Sequence, residues 1–257
     1  MDYTQLFHFS GRRVMVIGSG SGIGRESALA LGAHGAAVVC ADRDGVAAAE
    51  TAAMIGESSR AITLDVLDHD AVRAAAQQFD DIAALVFTAA TNVRKRIADY
   101  TFDEFDRVVN LNLRASFSLI QSFAPAMAAN GGGSIIGFAS IRAVTVEPGQ
   151  GVYAATKAGL VQLLRTAAAE YGPSRVRVNA IAPGVVETPL TAQIKNNKEW
   201  YDAYASKSAL GRWSRPEELA GAVVYLASDA SSFVTGSVLT VDGGWTAVDG
   251  RFDPPHA

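Results

Sequence analysis

The stretch RVMVIGSGSGIGR, residues 13–25, decides the fold. Its first five residues form an apolar run typical of a buried strand, and the glycine-rich remainder leads into a segment of helical period. Glycine lets the backbone approach a phosphate closely, and a helix N-terminus presents free N–H groups and a partial positive charge. We therefore interpret Gly18, Ser21, Gly22, Ile23 and Gly24 as a phosphate-binding loop, with a purely structural tight turn as the alternative.

Alternating strand and helix patterns continue along the chain. Short β-branched runs predict strands, and the alanine- and leucine-rich stretches between them predict helices that pack on a sheet. We expect a single α/β domain over residues 1–257, a Rossmann fold whose doubly wound, seven-stranded parallel sheet carries helices on both faces. The predicted strands are 13–17, 37–41, 61–64, 84–88, 133–138, 175–181 and 238–241; the predicted helices are 22–34, 46–55, 69–78, 101–130, 151–171 and 216–226.

Two segments do not fit this alternation. Residues 186–213 follow the sixth strand with weak apolar periodicity and several aromatic side chains, and a long insertion at this place is typical of a substrate lid. The tail, residues 245–257, carries Phe252 and Pro254 past the last strand. It either docks on a neighbouring subunit and completes that subunit's pocket, or it is a frayed terminus.

An acidic residue ends the second predicted strand. Asp42 lies 18 residues after Gly24, where a carboxylate can accept hydrogen bonds from both hydroxyls of an adenosine ribose. It would repel a 2′-phosphate, so we expect NAD as the cofactor in preference to NADP, with Arg43 as a neighbouring contact. The alternative is that Asp42 caps the next helix. Asp65 and Val66 fall where a polar group and an apolar wall could hold an adenine, or they form a strand-end turn.

Three residues form a candidate catalytic set. Tyr153 and Lys157 are four residues apart and share one face of a predicted helix. A free tyrosine has a pKa of about 10. A nearby ammonium lowers that pKa, which suits a proton acceptor near neutral pH. Ser140 follows the fifth strand and could place its hydroxyl on a substrate oxygen, although a strand-end serine is usually a turn residue.

Together these residues resemble the short-chain dehydrogenase/reductase family over nearly the whole chain. The resemblance includes the glycine loop, the catalytic set, Asn112 within VNLNL (109–113), RVNAIAPG (177–184) and VDGG (241–244). It implies that Tyr153 is the general acid and base and that Ser140 orients the reacting oxygen. It also implies that Lys157 holds the nicotinamide ribose and lowers the tyrosine pKa, and that Asn112 holds a proton-relay water.

The resemblance further implies cofactor contacts after the fourth and sixth strands. Residues 87–90 read FTAA where the family usually carries Asn-Asn-Ala-Gly, and Ile17 stands where a threonine is usual. Ala89 and Ala90 can still flank the adenosine ribose, but Thr88 lacks the amide that the family's asparagine supplies. Contacts to the nicotinamide are expected from a segment whose alternative role is a turn into the lid: Pro183, Gly184, Val186 and Thr188.

Two arginines lie near the expected reaction centre. Arg142 follows the candidate serine, and Arg94 follows the fourth strand, at the edge where ligands bind in open α/β sheets. Guanidinium groups suit a carboxylate or several hydroxyls, and Glu147 and Gln150 add acceptors and donors. We therefore expect hydride exchange with a secondary alcohol or ketone that is a sugar, polyol or sugar acid. The alternative is a solvated loop around Arg94 and an ion pair between Arg142 and Glu147.

Two other functions fit the same pattern. A 3-oxoacyl thioester reductase would share the catalytic set, but such enzymes usually favour NADP, against the expectation from Asp42. A non-catalytic dinucleotide-sensing protein would share the fold, but it would not need all four catalytic positions filled. We retain both as alternatives to a sugar or polyol dehydrogenase.

Composition argues against several other classes. The net charge of −4 and scattered arginines do not suit nucleic acid. No stretch approaches the ~18 apolar residues of a membrane span, and the N-terminus has no long apolar run, so we expect a cytoplasmic protein without a membrane partner. The single cysteine excludes an intrachain disulfide, and no metal site is predicted. The family resemblance implies a homotetramer built partly on helices 101–130 and 151–171.

Overall fold

Seven parallel strands form one sheet in a computed structural model that describes residues 2–249. The spatial order is β3-β2-β1-β4-β5-β6-β7, which confirms the predicted seven-stranded parallel sheet. Predicted and observed strand ends differ by at most two residues. The strands are β1 Arg13–Ile17, β2 Ala37–Asp42, β3 Arg60–Thr63, β4 Ala84–Phe87, β5 Gly133–Phe138, β6 Val176–Pro183 and β7 Val238–Val241.

Helices cover both faces of the sheet, as predicted. Side chains of β1 alternate between the faces: Met15 lies in one apolar cluster with helices α3, α5 and α6, and Val14 lies in the other with α1 and α9. The α-helices of the described residues are α1 Gly22–Ala33, α2 Gly45–Ile55, α3 His69–Gln78, α4 Phe102–Val109, α5 Ala115–Ala129, α6 Gly151–Tyr171, α7 Ala192–Lys195, α8 Lys198–Lys207 and α9 Ala220–Ala227.

The expected single helix over residues 101–130 is interrupted. Its middle, Asn110–Arg114, is a π-helical turn between α4 and α5. A π turn inserts an extra residue into the helix, and such turns are frequent at functional sites. Hydrophobic periodicity does not reveal the interruption, because both flanking helices keep their apolar faces on the core. The predicted helix 216–226 likewise begins as a 3₁₀ turn, Pro216–Leu219, before α9.

The segment 186–213 is more ordered than its weak periodicity suggested. It contains α7 and α8, which are held by aromatic stacking rather than by an apolar stripe. The rings of Tyr201 and Trp213 stack at 4.8 Å, and Tyr204 meets the Trp245 ring at 5.4 Å. These contacts form a third apolar cluster, separate from the two on the sheet faces.

The sheet order reverses between β1 and β4. The chain leaves β1 toward one face of the sheet and leaves β4 toward the other, so a crevice opens beyond the carboxyl ends of these two strands. The glycine loop follows β1, and the Ser140 loop follows β5 at the same edge. The fold therefore gathers the predicted site residues along one edge of the sheet.

Candidate active site

A cavity of about 810 Å³ opens at this edge. Every residue that the sequence assigned to the cofactor lines it, so segments far apart in sequence converge on one crevice. These residues are Gly18, Ser21, Gly22, Ile23, Gly24, Asp42, Arg43, Asp65, Val66, Ala89, Ala90, Tyr153, Lys157, Pro183, Gly184, Val186 and Thr188.

The glycine loop has the shape of a phosphate cradle. Gly18 and Gly22 have positive φ angles of 86° and 53°, which L side chains adopt with strain. A Cβ on Gly24 would overlap the carbonyl oxygen of Gly18, so the helix can meet the loop only with glycine there. Ser21 precedes α1 without capping it through its side chain, which leaves the first N–H groups available to an anion. The residues present fit a dinucleotide phosphate.

Asp42 faces the glycine loop rather than the following helix. Its carboxylate accepts hydrogen bonds from the backbone N–H of Gly20 at 2.9 Å and of Asp44 at 3.0 Å. The cap of α2 is Asp44, which accepts from two N–H groups of the first turn. The capping alternative for Asp42 is therefore wrong. Arg43 is exposed at the rim of the same cavity.

The far end of the cavity combines a turn with an apolar wall. Asp65 accepts a hydrogen bond from the Leu67 N–H at 2.9 Å, so it does form the strand-end turn that was one of its alternatives. Val66 is buried and lines the cavity beside it. The Thr88 hydroxyl donates to the Ile17 carbonyl at 3.2 Å. A hydroxyl thus ties β4 to β1 at the position where the family carries an asparagine.

Tyr153 and Ser140 line the cavity together. Tyr153 is buried, and burial raises the pKa of its phenol; a hydrogen bond with Ser140 and the positive charges of Arg94 and Arg142 lower it. The Ser140 hydroxyl also accepts from the Arg142 N–H at 3.1 Å, which fixes its orientation. The phenol and hydroxyl are placed to share one substrate oxygen.

Lys157 is buried beneath the tyrosine. Its ammonium donates to the Phe138 carbonyl at 2.6 Å and lies 5.6 Å from the centroid of the Tyr153 ring. Burial lowers its pKa to about 8. The positive charges of Arg94 and Arg142 lower the pKa of the Tyr153 phenol. The same role for Lys157, which the resemblance implies, stays a prediction.

Asn112 is fixed by the π turn. Its carboxamide oxygen accepts from the Thr91 N–H at 2.8 Å, and its nitrogen donates to the Thr91 carbonyl at 2.9 Å and to the Thr156 hydroxyl at 3.2 Å. The side chain therefore ties the loop after β4 to the helix that carries Tyr153. The proton-relay role that the resemblance implies for Asn112 stays a prediction.

A second cavity of about 70 Å³ adjoins Tyr153 and Ser140. Arg142 is buried in an ion pair with Glu147, and its guanidinium also lies 5.5 Å from the Trp245 ring. The pairing alternative for Arg142 is thus the observed one. The cavity is lined by residues from the loops after β4 and β5 and from the lid: Asn92, Arg94, Ser140, Ile141, Arg142, Gln150, Tyr153, Gly184, Val185, Leu190, Thr191, Ile194 and Tyr204.

Sequence reasoning missed several lining residues of this second cavity, among them Asn92 and Tyr204. Asn92 lies two residues after Ala90 at the edge already assigned to ligands, so its position alone could have indicated it. Tyr204 comes from the lid and reaches the cavity only through the packing of α8. Its phenol donates to Glu147 at 2.6 Å. Glu147 itself stands behind the lining residues and holds them in place.

Other kinds of site are not found in the part of the chain that the structure describes. Within residues 2–249, no helix has the length and apolar character needed to cross a membrane. The same residues contain no group of three or more His, Cys, Asp or Glu side chains that could hold a metal ion. Trp245 packs on its own chain, while the predicted tail residues Phe252 and Pro254 lie outside the described residues.

Comparison with known proteins defines the class. A family model described as Enoyl-(Acyl carrier protein) reductase matches residues 17–246. The galactitol 2-dehydrogenase (L-tagatose-forming) of Cereibacter sphaeroides is 36% identical, over 96% of this chain and 99% of that protein. The chain belongs to the short-chain dehydrogenase/reductase family. It is an oxidoreductase that acts on CH–OH groups with a nicotinamide dinucleotide.

Two further similar proteins are named for different substrates. The 3-oxoacyl-(acyl-carrier-protein) reductase FabG of Thermotoga maritima is 32% identical, over 91% of this chain and 97% of that protein. The crystal structure of a gluconate 5-dehydrogenase from Burkholderia cenocepacia in complex with NADP and tartrate is 34% identical. It superposes with a TM-score of 0.92 and covers 96% of this chain and 99% of that one.

Proposed function

We propose that this protein is an NAD-dependent dehydrogenase of a secondary alcohol in a polyol or sugar acid. The observation that carries the proposal is the second cavity beside Tyr153, where Arg94, Arg142 and Gln150 place polar groups among apolar lining residues. A steroid or long acyl chain would offer these polar groups few hydrogen-bond partners. Relatives named for galactitol and gluconate support the same substrate class.

The chain's own residues supply the proton transfer. Tyr153 accepts the hydroxyl proton as the alcohol is oxidised and returns it during reduction, while Ser140 holds the reacting oxygen. The Arg94 and Arg142 charges favour the ionised phenol in a buried site where ionisation is otherwise costly. Lys157 would hold the nicotinamide ribose through the protons not donated to Phe138. The bound dinucleotide supplies or accepts the hydride.

The test is NADH formation over a panel of polyols, sugar acids and simple secondary alcohols. We expect polyols or sugar acids to have the highest kcat/KM, and Tyr153→Phe to remove nearly all turnover while NAD affinity changes only a few-fold, because the phenol oxygen alone is lost. Substantial activity of this variant at every pH would contradict the proton-transfer role. Preference for long-chain ketones would contradict the substrate class.

We propose NAD as the preferred cofactor because of Asp42. Its carboxylate lies against the glycine loop, where it would repel a 2′-phosphate. The Burkholderia relative carries NADP, and Arg43 at the cavity rim is a cation that could attract that phosphate. Asp42→Ala should therefore narrow the ratio of kcat/KM for NAD over NADP. A wild-type enzyme that uses both equally would refute the assignment.

A 3-oxoacyl thioester reductase is the second candidate. It is favoured by the similarity to FabG. NADPH-dependent reduction of a 3-oxoacyl thioester at a higher kcat/KM than any polyol or sugar acid would select it. A protein that binds a dinucleotide but turns over neither class would instead fit the sensing alternative.

We further propose a cytoplasmic homotetramer in which residues 186–213 act as a substrate lid. Phe102, Phe105 and Phe117 are exposed on α4 and α5, which are two of the helices expected to form the subunit interfaces. Light scattering at micromolar concentration tests the assembly. A monomer would rule it out.

A further inference from the structure

Two buried polar atoms of the second cavity have no hydrogen-bond partner. Among residues 2–249, these are the side-chain oxygen Oδ1 of Asn92 and the guanidinium nitrogen Nε of Arg94. Both residues line the cavity beside Tyr153 and Ser140. A buried donor or acceptor without a partner destabilises the folded protein, so the pair indicates ligand groups that complete it.

A relay of hydrogen bonds fixes the orientation of the Asn92 amide. The Glu147 carboxylate has acceptors only, so the Gln150 amide must turn its nitrogen toward it, at 2.7 Å. The Gln150 oxygen then accepts from the Asn92 nitrogen at 3.0 Å. The remaining Asn92 oxygen is consequently an acceptor, and a ligand must offer it an O–H or N–H group.

The Glu147 carboxylate already has partners within the protein. It pairs with the buried Arg142 and accepts from Tyr204, whose pKa is raised to about 12 by burial and by this carboxylate, so the phenol stays a donor. Within the described chain, the contact recorded for the Arg94 side chain is a 3.5 Å hydrogen bond to Gln193. Of the two guanidinium groups that line this cavity, Arg94 is therefore the one without an ion pair to a carboxylate of residues 2–249.

The spacing of the ligand groups follows from the positions of the two residues. Asn92 and Arg94 are two residues apart on the loop after β4, and both line the second cavity. One short end group of a ligand can therefore supply both the donor to Asn92 and the anion that accepts from Arg94. A carbon bearing a hydroxyl next to a carboxylate meets both requirements.

We propose that the second cavity recognises a 2-hydroxycarboxylate end group, with the carboxylate on Arg94 and the 2-hydroxyl on Asn92. The oxidised hydroxyl is a different one, held by Tyr153 and Ser140. Asn92 is a specificity-determining residue, and Glu147 is a positioning residue that acts through Gln150. The inference rests on the proposed function and narrows its substrate class to sugar acids.

The test compares D-gluconate with 2-deoxy-D-gluconate, which lacks only the hydroxyl assigned to Asn92. We expect the wild type to favour gluconate about tenfold in kcat/KM, the effect of one hydrogen bond to a buried acceptor. Asn92→Ala should bring this ratio to within about twofold of unity, because the variant has no acceptor to leave unsatisfied. Asn130→Ala, the same substitution far from both cavities, should keep the wild-type ratio.

Glu147→Gln provides a second variant that retains shape. Its amide can donate as well as accept, so the Gln150 and Asn92 amides are free to flip, and the gluconate preference should fall while the KM for the dinucleotide is unchanged. A merely structural role of Glu147 would lower activity on both acids equally. Should Asn92→Ala not fold, this variant decides the question.

Calorimetry separates this inference from the proposed function. The dissociation constants of both acids are measured on protein saturated with NADH, where no turnover occurs. A tenfold binding ratio that depends on Asn92 supports the inference even if no polyol or sugar acid is oxidised, in which case only the proposed function fails. Equal binding of the two acids, or a ratio that survives Asn92→Ala, overturns the inference even if polyols are good substrates.

Discussion

Lys157→Met should separate the stability of this protein from its activity. Burial lowers the Lys157 pKa from 10.5 to about 8, so the folded chain binds this proton less tightly than the unfolded chain does. At 1.36 kcal/mol for each pKa unit, the charged lysine costs the folded state roughly 3 kcal/mol at neutral pH. Between pH 8 and pH 10.5 the unfolded chain holds more protons, so the free energy of unfolding of the wild type rises with pH in that window.

Methionine fills similar space and does not titrate. The Lys157→Met variant loses the hydrogen bond to the Phe138 carbonyl, which offsets part of the gain at neutral pH. The loss of this hydrogen bond does not affect how the stability difference changes with pH. The stability of the variant relative to the wild type should therefore decline by roughly 2 to 3 kcal/mol from pH 7 to pH 10. Turnover should be severely reduced at every pH.

Urea unfolding of the cofactor-free protein at pH 7, 8, 9 and 10 measures this difference. Lys198→Met is a matched control, because Lys198 is exposed and should show the same pH dependence as the wild type. A stability difference between Lys157→Met and the wild type that stays constant over this range would refute the buried, low-pKa lysine. The expected outcome means that Lys157 is retained for chemistry at a cost in stability.

Two further changes follow from the site geometry. Arg94→Met removes a positive charge that lowers the Tyr153 pKa, so the acid limb of the pH profile of kcat/KM for alcohol oxidation should move to higher pH. Arg96→Met, at an exposed neighbour, should leave that limb in place. An unmoved limb in Arg94→Met would contradict the electrostatic role of Arg94. Gly24→Ala places a methyl group against the loop backbone, so it should abolish NAD binding and lower the free energy of unfolding by about 1–3 kcal/mol. Gly221→Ala is the control: its Cβ has open space, so urea unfolding should show an unchanged or slightly higher stability. Normal NAD affinity in Gly24→Ala would refute the cradle.

Local patterns in the sequence were sufficient for the fold class. The alternation of strands and helices follows from the periodicity of apolar side chains along the chain. This periodicity predicts the seven parallel strands and the helices on both faces of the sheet. The glycine loop and the four-residue spacing of Tyr153 and Lys157 are likewise local features. These elements converge on one crevice because parallel strands all end at the same edge.

The π turn at Asn110–Arg114 and the lid helices were not predictable in the same way. A π turn depends on what the inserted Asn112 can bind, and its partners Thr91 and Thr156 are remote in sequence. The lid helices are ordered by ring stacking that involves Trp213 and Trp245. Periodicity within a single segment does not register contacts made between segments.

The sequence by itself determined the fold class, the glycine-rich loop and the pairing of Tyr153 with Lys157 on one helix face, because each depends on neighbours in the chain. Only the tertiary structure decided how the charges around the substrate pair. It neutralised Arg142 with Glu147, left Arg94 without a carboxylate partner among residues 2–249, and oriented the Asn92 amide through Gln150. Coulombic and hydrogen-bond partners depend on distances of a few ångströms between side chains, which no spacing along the chain fixes.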